Sequence, residues 1–425
     1  MKNRENRENK EIFVHISLNG RDMLVGKLWF HSRRGRESAS FEYDKSWLNN
    51  PERFALEPAL QLTEGSFHTQ DKHLLFGAIG DSAPDRWGRV LMRRAEAQRA
   101  LIENETARTL TEKDYLLGVN DKTRQGALRF AQNIGGPFLK PSNKLSVPPL
   151  IELPKLLSAS EKFLNSQENA EDLKLLLAPG SSLGGARPKA SVKDKDGSLA
   201  FAKFPRKDDD FNIVLWEAVA LTLAASAGIT VPQWRVVNIL KKPVLIVKRF
   251  DRAKETRIPF LSAMSMLGAA DNEQHSYLEI VYAIAQHGAQ PEKDMSELWR
   301  RIVFSVLISN TDDHLRNHGF LYERQKGWRL SPAYDINPTP TEIKPRILST
   351  SIDLNNNRAD LDLALSVIKD FRLSKEQAGG IIKEVATAVL RWRIVAKSLG
   401  LKEADIAKMS SAFEHQDLEK AKKFM

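Results

Sequence analysis

Ser309-Asn310-Thr311-Asp312-Asp313-His314-Leu315-Arg316-Asn317-His318-Gly319, followed by Ala333-Tyr334-Asp335, is the stretch on which the reading of this chain turns. It sets an Asp at 312, an Asn five residues on and a second Asp eighteen residues after that. Phosphoryl transfer uses such a set: one carboxylate accepts a hydroxyl proton, while an amide and a second carboxylate hold Mg²⁺ against the phosphates of ATP. A single Asp in a polar loop is usually a turn former or helix cap. Placement favours the chemistry. Asp294 to Ser309 carries Met295, Leu298, Trp299, Ile302, Val303, Val306 and Leu307 at helical spacing, which predicts a buried helix delivering the polar cluster. Gly319–Tyr322 and Gly327–Leu330 then read as a hairpin that returns Asp335 to the side of Asn317.

Bulk properties bound the rest. At 425 residues two or three domains are expected. The absence of Cys excludes disulfides, thiolate zinc sites and a cysteine nucleophile, and suits a reducing cytosol. The first ten residues are charged and lack an apolar signal segment, and no run of eighteen apolar residues exists, so a cytoplasmic chain without a membrane partner is expected. A net charge of +10 favours polyanionic partners, and Arg86, Arg89, Arg93, Arg94 and Arg99 gather on one predicted helix. No zinc-finger, helix-turn-helix or aromatic-interleaved RNA pattern accompanies them, so direct reading of nucleic acid is not favoured.

Along the chain, residues 11–45 alternate as strands around the turn Asn19-Gly20, with Ile12, Val14 and Ile16 opposing Phe13 and His15. A helix is predicted from Pro84 to about Glu103, starting after Asp81-Ser82, and a short strand between Leu116 and Phe130. Gly135-Gly136-Pro137 and Pro141-Ser142-Asn143 mark a linker. Helices are expected near 151–167, at 212–227 and, closing the chain, at about 360–371, 374–398 and 402–422, with Val244–Val247 a buried strand.

Two further elements fit a phosphate site. Ser181-Ser182-Leu183-Gly184-Gly185-Ala186-Arg187-Pro188-Lys189 is a small-residue loop whose backbone N–H groups can approach phosphate oxygens, with Arg187 or Lys189 adding charge. It lacks Walker spacing, and a plain hairpin turn reads the same way. Lys203 stands among apolar residues on the next strand, where its ammonium needs an anion; it is either a phosphate ligand or a snorkelling edge residue. Glu217, in the apolar helix that follows, is a candidate charge partner for it. The order glycine turn, strand Lys, helix Glu, apolar strand, core helix, Asp-x4-Asn, hairpin and Asp is that of a kinase.

With those residues in place, the sequence resembles the HipA family, the serine/threonine kinase toxins of bacterial toxin–antitoxin pairs. The resemblance spans nearly the whole chain. It is carried by Asn310-Thr311-Asp312-Asp313-His314-x-x-Asn317 and Leu330-Ser331-Pro332-Ala333-Tyr334-Asp335, with support from Ser182–Lys189, Val247-Lys248-Arg249-Phe250-Asp251-Arg252, Val25–Leu28, Phe41–Tyr43 and Gly126–Leu128. It implies an α+β fold, two-lobed and protein-kinase-like. A β-rich N-terminal subdomain would occupy 1–140, a kinase N-lobe with the glycine loop 141–255, and an all-helical C-lobe 256–425.

Asp312 would be the catalytic base and His314 would orient its loop. Asn317 and Asp335 would bind Mg²⁺. ATP would be held by Gly184, Gly185, Ala186, Arg187, Lys189 and Lys203, with Lys248, Phe250 and Asp251 forming the hinge. Ser182 would be autophosphorylated, shutting the enzyme off. Implied partners are a small DNA-binding antitoxin of the HipB kind, DNA mainly through that antitoxin, and a protein substrate such as an aminoacyl-tRNA synthetase. The best-known members have Gln-Glu in place of Arg187-Pro188 and an acidic residue in place of Lys248. Two other readings are a kinase for a small molecule or lipid headgroup, and a catalytically weak co-repressor that mainly binds the antitoxin. The intact Asp312, Asn317 and Asp335 set argues against the last.

Overall fold

The alternating residues near the start build a five-stranded antiparallel sheet, in a computed structural model that describes residues 11–33, 35–70, 72–139, 147–177, 185 and 187–425. Its order is Ser66–His68, Arg36–Tyr43, Arg21–Arg33, Ile12–Leu18, Leu128–Ala131. Asn19 and Gly20 both take positive φ, as a two-residue hairpin between twisted strands requires. The expected two-faced strand differs in one respect: Ile12–Leu18 is buried along its whole length. Its second face is covered as well, with Phe138 set edge-on against His15 at 5.3 Å, so alternation marks the two faces without exposing either.

The arginine-bearing helix runs Arg86–Ile102. Its N-cap is Asp85, whose carboxylate accepts from the Gly88 N–H at 2.9 Å, a few residues later than the expected start. Trp87 and Leu91 face inward, Trp87 meeting Phe163 of the helix Leu153–Leu164 at 5.0 Å. A short helix at Glu112–Gly118, where only a strand and turns were expected, is held by a capping box between Thr111 and Asp114.

The central unit is a four-stranded antiparallel sheet in the order Lys189–Lys193, Leu199–Lys203, Lys242–Lys248, Trp234–Ile239. Its register sets Lys203 opposite Lys189 on one side and Leu245 on the other. The helix Ile213–Ser226 is apolar almost all round because it is buried all round. It packs on this sheet through Val214, Ala218 and Leu221, and on the C-terminal helices through Trp216. Truncating the fully buried Trp216 to Ala should cost about 3–5 kcal/mol.

The core helix of the last lobe spans Pro291–Leu307, with Pro291 at a first-turn position where its missing N–H is no loss. Asp294, expected near its start, instead takes Arg329 at 2.9 Å and the Leu330 N–H at 3.1 Å, tying the hairpin to the helix. The hairpin Gly319–Glu323 and Gly327–Leu330 gains a third strand, Phe260–Ser262, so this otherwise helical lobe carries a small sheet. The helix expected at 374–398 is two helices, Lys375–Val389 and Trp392–Ser398. The chain turns between them and brings Trp392 inward, where its ring stacks on Phe413 at 4.5 Å. The expected 402–422 helix is likewise three short ones, Glu403–Lys408, Ser410–Phe413 and Gln416–Lys422. No helix among the described residues is long and apolar enough to cross a membrane.

Candidate active site

The polar cluster leaves the core helix through Ser309, whose φ is +52°. The loop beyond Ser309 is held from several sides. Asn310 accepts from the Asn337 N–H at 3.2 Å, and the Thr350 hydroxyl donates to the Asp313 carbonyl at 2.6 Å. Asp313 is buried and accepts from the Tyr277 hydroxyl and from Ser305 at 3.2 Å, with His318 Nε2 at 3.1 Å. Burial alone would push its carboxyl up, but His318 and these donors hold it below the usual range. Asp313 is therefore a brace inside the loop. Its neighbour Asp312 is exposed.

Asn317 is buried, and its amide N–H donates to the Asp312 carbonyl at 2.9 Å. That bond fixes which way the carboxamide points and leaves its Oδ1 buried with no hydrogen-bond donor among the described residues. His314 Nδ1 and Asn337 Oδ1 are likewise without partners. A buried polar atom without a partner costs free energy, which water, a metal ion or a ligand group recovers.

The hairpin brings Asp335 to the same cleft. The Tyr334 hydroxyl donates to the Arg316 carbonyl at 2.7 Å, fastening the segment around Asp335 to the loop around Asn317. Asp335 itself takes φ +57°, a left-handed conformation that costs a non-glycine residue roughly 1–2 kcal/mol. Lys203 Nζ lies 2.9 Å from Asp335 and 2.5 Å from the buried Glu217. Burial would lower the Lys203 pKa, but the two carboxylates raise it. Asp335 is held low, because Lys203 and Lys189 outweigh its burial. Glu217 is pushed up by burial against the pull of Lys203.

Of the glycine loop, Ser182, Gly184 and Ala186 lie outside the described residues. Gly185 has φ +91°, and a Cβ there would sit 2.9 Å from Lys189 Nζ and 3.6 Å from Asp335 Oδ2. The positive φ favours glycine there, while the Lys189 ammonium, at the end of a flexible side chain, could shift. Lys189 is buried and lies 3.2 Å from Asp85 Oδ2, while Trp87 donates from its ring to the Lys189 carbonyl at 3.0 Å. The N-terminal subdomain thus reaches the glycine loop directly. Arg187 is committed to Asp209.

One cleft is lined by Lys189, Lys203, Glu217, Asp312, His314 and Asp335 together. The hinge segment stands apart from its lining. Lys248 donates from its backbone to Gln233 at 2.8 Å and from its ammonium to Asp196 at 3.2 Å. Phe250 packs against Tyr334 at 5.5 Å between ring centres. Asp251 is fully buried, taking the Gly126 N–H at 2.8 Å, Arg249 Nε at 2.8 Å and Arg252 at 2.8 Å. Arg249 also donates to the Thr123 and Arg124 carbonyls, so the N-terminal subdomain is bolted to the hinge by its backbone.

Sequence reasoning passed over Asp85 and Asn337. Asp85 carries only the signal of a helix cap, and Asn337 stands two residues past Asp335 in an unpatterned stretch.

The donor set fits a metal of one kind. One buried amide oxygen without a donor and one carboxylate suit a hard cation that keeps several waters. Among the described residues no group of three or more His, Asp or Glu is arranged to hold a metal, so any tighter all-carboxylate cage is not formed by them.

Two lobes joined by a short hinge, a strand Lys paired with a helix Glu, and an Asp-x4-Asn loop facing a second Asp define a kinase-like fold. The chain belongs to the HipA family. The family's N-terminal domain matches residues 15–112 and its HipA-like C-terminal domain residues 181–392. Among solved structures it is similar to Shewanella oneidensis HipA, determined in a toxin–antitoxin complex with HipB and operator DNA, at 15% identity and a TM-score of 0.67 over 97% of each chain. A provisionally named kinase of Haemophilus influenzae is 26% identical over 196 residues, 40% of this chain and 57% of that one. The similarly named Y4dM and Y4mE of Sinorhizobium fredii are 30% identical over 135 residues and 25% over 181. These matches cover 28% and 36% of this chain, and 32% and 41% of the relatives. The chain therefore spans 57% or less of the length of these curated relatives.

Proposed function

We propose that this chain is a serine/threonine protein kinase that uses ATP with Mg²⁺ and serves as the toxin of a toxin–antitoxin pair. The observation that carries the reading is the cleft in which exposed Asp312 and the Lys203–Asp335–Glu217 cluster meet, with the buried orphan Asn317 Oδ1 on the same loop.

Asp312 takes the proton of the acceptor hydroxyl, in a loop that His314 orients. Asn317 Oδ1 and Asp335 would hold Mg²⁺, which supplies neutralisation of phosphate charge. Lys203, kept charged by its carboxylates, and Lys189 face the phosphates, and the glycine-loop residues Gly184–Ala186 are the proposed backbone contacts to them. The Lys248–Phe250 backbone would hold the adenine, and Asp251 anchors that segment. Ser182 at the foot of the glycine loop is the expected autophosphorylation site: a phosphate adds about 1.5–2 negative charges there and repels those of the nucleotide.

The family and the Shewanella assembly support a DNA-binding antitoxin as partner and DNA contact through it. A translation component such as an aminoacyl-tRNA synthetase is the proposed target. Incubating the purified protein and a cell lysate with γ-labelled ATP and Mg²⁺ tests the reading. Label on protein serine or threonine is expected, including Ser182. Label confined to small molecules or lipid would overturn the protein-kinase assignment, and no transfer at all would overturn kinase activity.

A further inference from the structure

The charges lining the cleft are almost all spent on one another. Arg89 holds Glu112 with two bonds of 2.5 and 2.7 Å, Arg316 holds Asp271 at 2.6 Å, and Lys72 holds Glu273 at 3.0 Å. Lys189 faces Asp85, and Lys203 serves Glu217 and Asp335. Two cations are left over. Arg86 and Arg93 are exposed, line the same cleft as Asp312, and have no ion pair or side-chain hydrogen bond among the described residues. They lie seven residues apart on the helix Arg86–Ile102, which places them on one face about 10.5 Å apart along its axis. A peptide in the extended polyproline II conformation, with three residues per turn at about 3.1 Å each, presents side chains three residues apart on one face at nearly that distance.

We infer that this helix face is the docking ridge for the protein substrate, an extended acidic segment whose carboxylates, three residues apart, lie on Arg86 and Arg93. The inference rests on the protein-kinase reading and adds to it the charge of the segment flanking the phosphorylated hydroxyl. A carboxylate pair fits the ridge better than a nucleic-acid backbone does. Arg89, Arg316 and Lys72 are already paired with Glu112, Asp271 and Glu273, so the wall offers two open cations and not the continuous row that a train of phosphates would engage. Charge patterns of this kind select partners chiefly by what they repel.

The test is direct binding, read by fluorescence anisotropy at low salt. The probe is a labelled peptide with one serine and two aspartates spaced three apart. Asparagine and lysine versions of it and an oligothymidine are compared with it. Wild-type protein should prefer the aspartate peptide. The double variant Arg86→Glu/Arg93→Glu should bind it about tenfold more weakly, as expected for losing two charge contacts and gaining two repulsions. The same variant should gain affinity for the lysine peptide, which a misfolded protein would not. Lys375→Glu/Lys383→Glu, on a helix outside the cleft, makes the same change in net charge and should leave the preference intact.

Equal binding of the aspartate and asparagine peptides by wild type would overturn the ridge, as would an equal loss in the Lys375/Lys383 control. Oligothymidine outcompeting the peptide would assign the ridge to nucleic acid and overturn the peptide proposal. Because binding is read without phosphate transfer, an inactive protein that still selects aspartate would sink the kinase reading while keeping the ridge. An active kinase without selection would do the reverse.

Discussion

At the hinge, Asp251 is buried with two guanidinium groups and a backbone N–H on its carboxylate, which is thereby taken up within the fold. At the cleft Asp312 is exposed, and on the loop and segment around it Asn317 Oδ1, His314 Nδ1 and Asn337 Oδ1 have no hydrogen-bond partner among the described residues. Both regions are rich in charged and amide side chains. What separates them is saturation. A closed network spends its interaction energy within the fold, whereas open valences beside a cleft leave that energy for a bound ligand.

Four substitutions put this contrast at risk. Asp312→Asn should lower phosphate transfer by about 10²–10⁴-fold, the range for losing a general base, with the unfolding transition unmoved. A variant that turns over at the wild-type rate would show that the exposed carboxylate is not the base. Asp251→Ala should do the opposite. It leaves Arg249 and Arg252 buried without their anion, costing about 3–5 kcal/mol in urea unfolding; a loss under about 1 kcal/mol would mean the hinge network is not closed as described. The Asp251 carboxyl is held low by Arg249 and Arg252 against its burial. Its contribution is therefore present above the unfolded carboxyl pKa and lost as pH falls toward the folded one.

Glu57 is a third kind of carboxylate, buried with a backbone N–H of Ala78 at 2.5 Å and with no cation on it among the described residues. Burial raises its pKa from 4.5 to about 7. The folded state then binds more protons than the unfolded chain between those values, so stability falls as pH rises through that window, by roughly 3 kcal/mol. Glu57→Gln should flatten that slope in thermal melts taken from pH 4.5 to 7; an unchanged slope would place the titration elsewhere. The smallest effect is expected at Lys248, whose ammonium meets, among the described residues, the exposed Asp196. Lys248→Ala should change stability by less than about 1 kcal/mol. A marked loss of nucleotide affinity in that variant would move its side chain into the site.

The parts legible in the sequence were those whose signal is local. The apolar period of the core helix, the hairpin around residues 323–327 and the Asp312, Asn317, Asp335 spacing each lie within a few tens of residues. Lys203 and Glu217, fourteen residues apart, were readable as a pair because each is a lone charge in an apolar element. The contact of Asp85 with Lys189 joins residues about a hundred positions apart, and nothing in either neighbourhood announces the other. The strand Phe260–Ser262 is three residues long, too short for a period, and exists because the hairpin edge is there to pair with. The break before Trp392 has no proline or glycine to mark it. It comes from a ring that packs on Phe413 and is decided by tertiary packing.

The hydroxyl of Tyr334 has a consequence for how this chain can change over generations. Because a side chain clasps the Arg316 carbonyl, and the Ser331 N–H reaches back to Gly319 at 2.7 Å, the two halves of the site are registered by a cross-link rather than by the length of chain between them. The turn Arg324–Lys326 at the hairpin tip is thereby released from any part in that registration. Insertions there would lengthen a surface loop and leave Asp312 and Asp335 at their present separation. Natural length variation in this region should therefore gather at that tip.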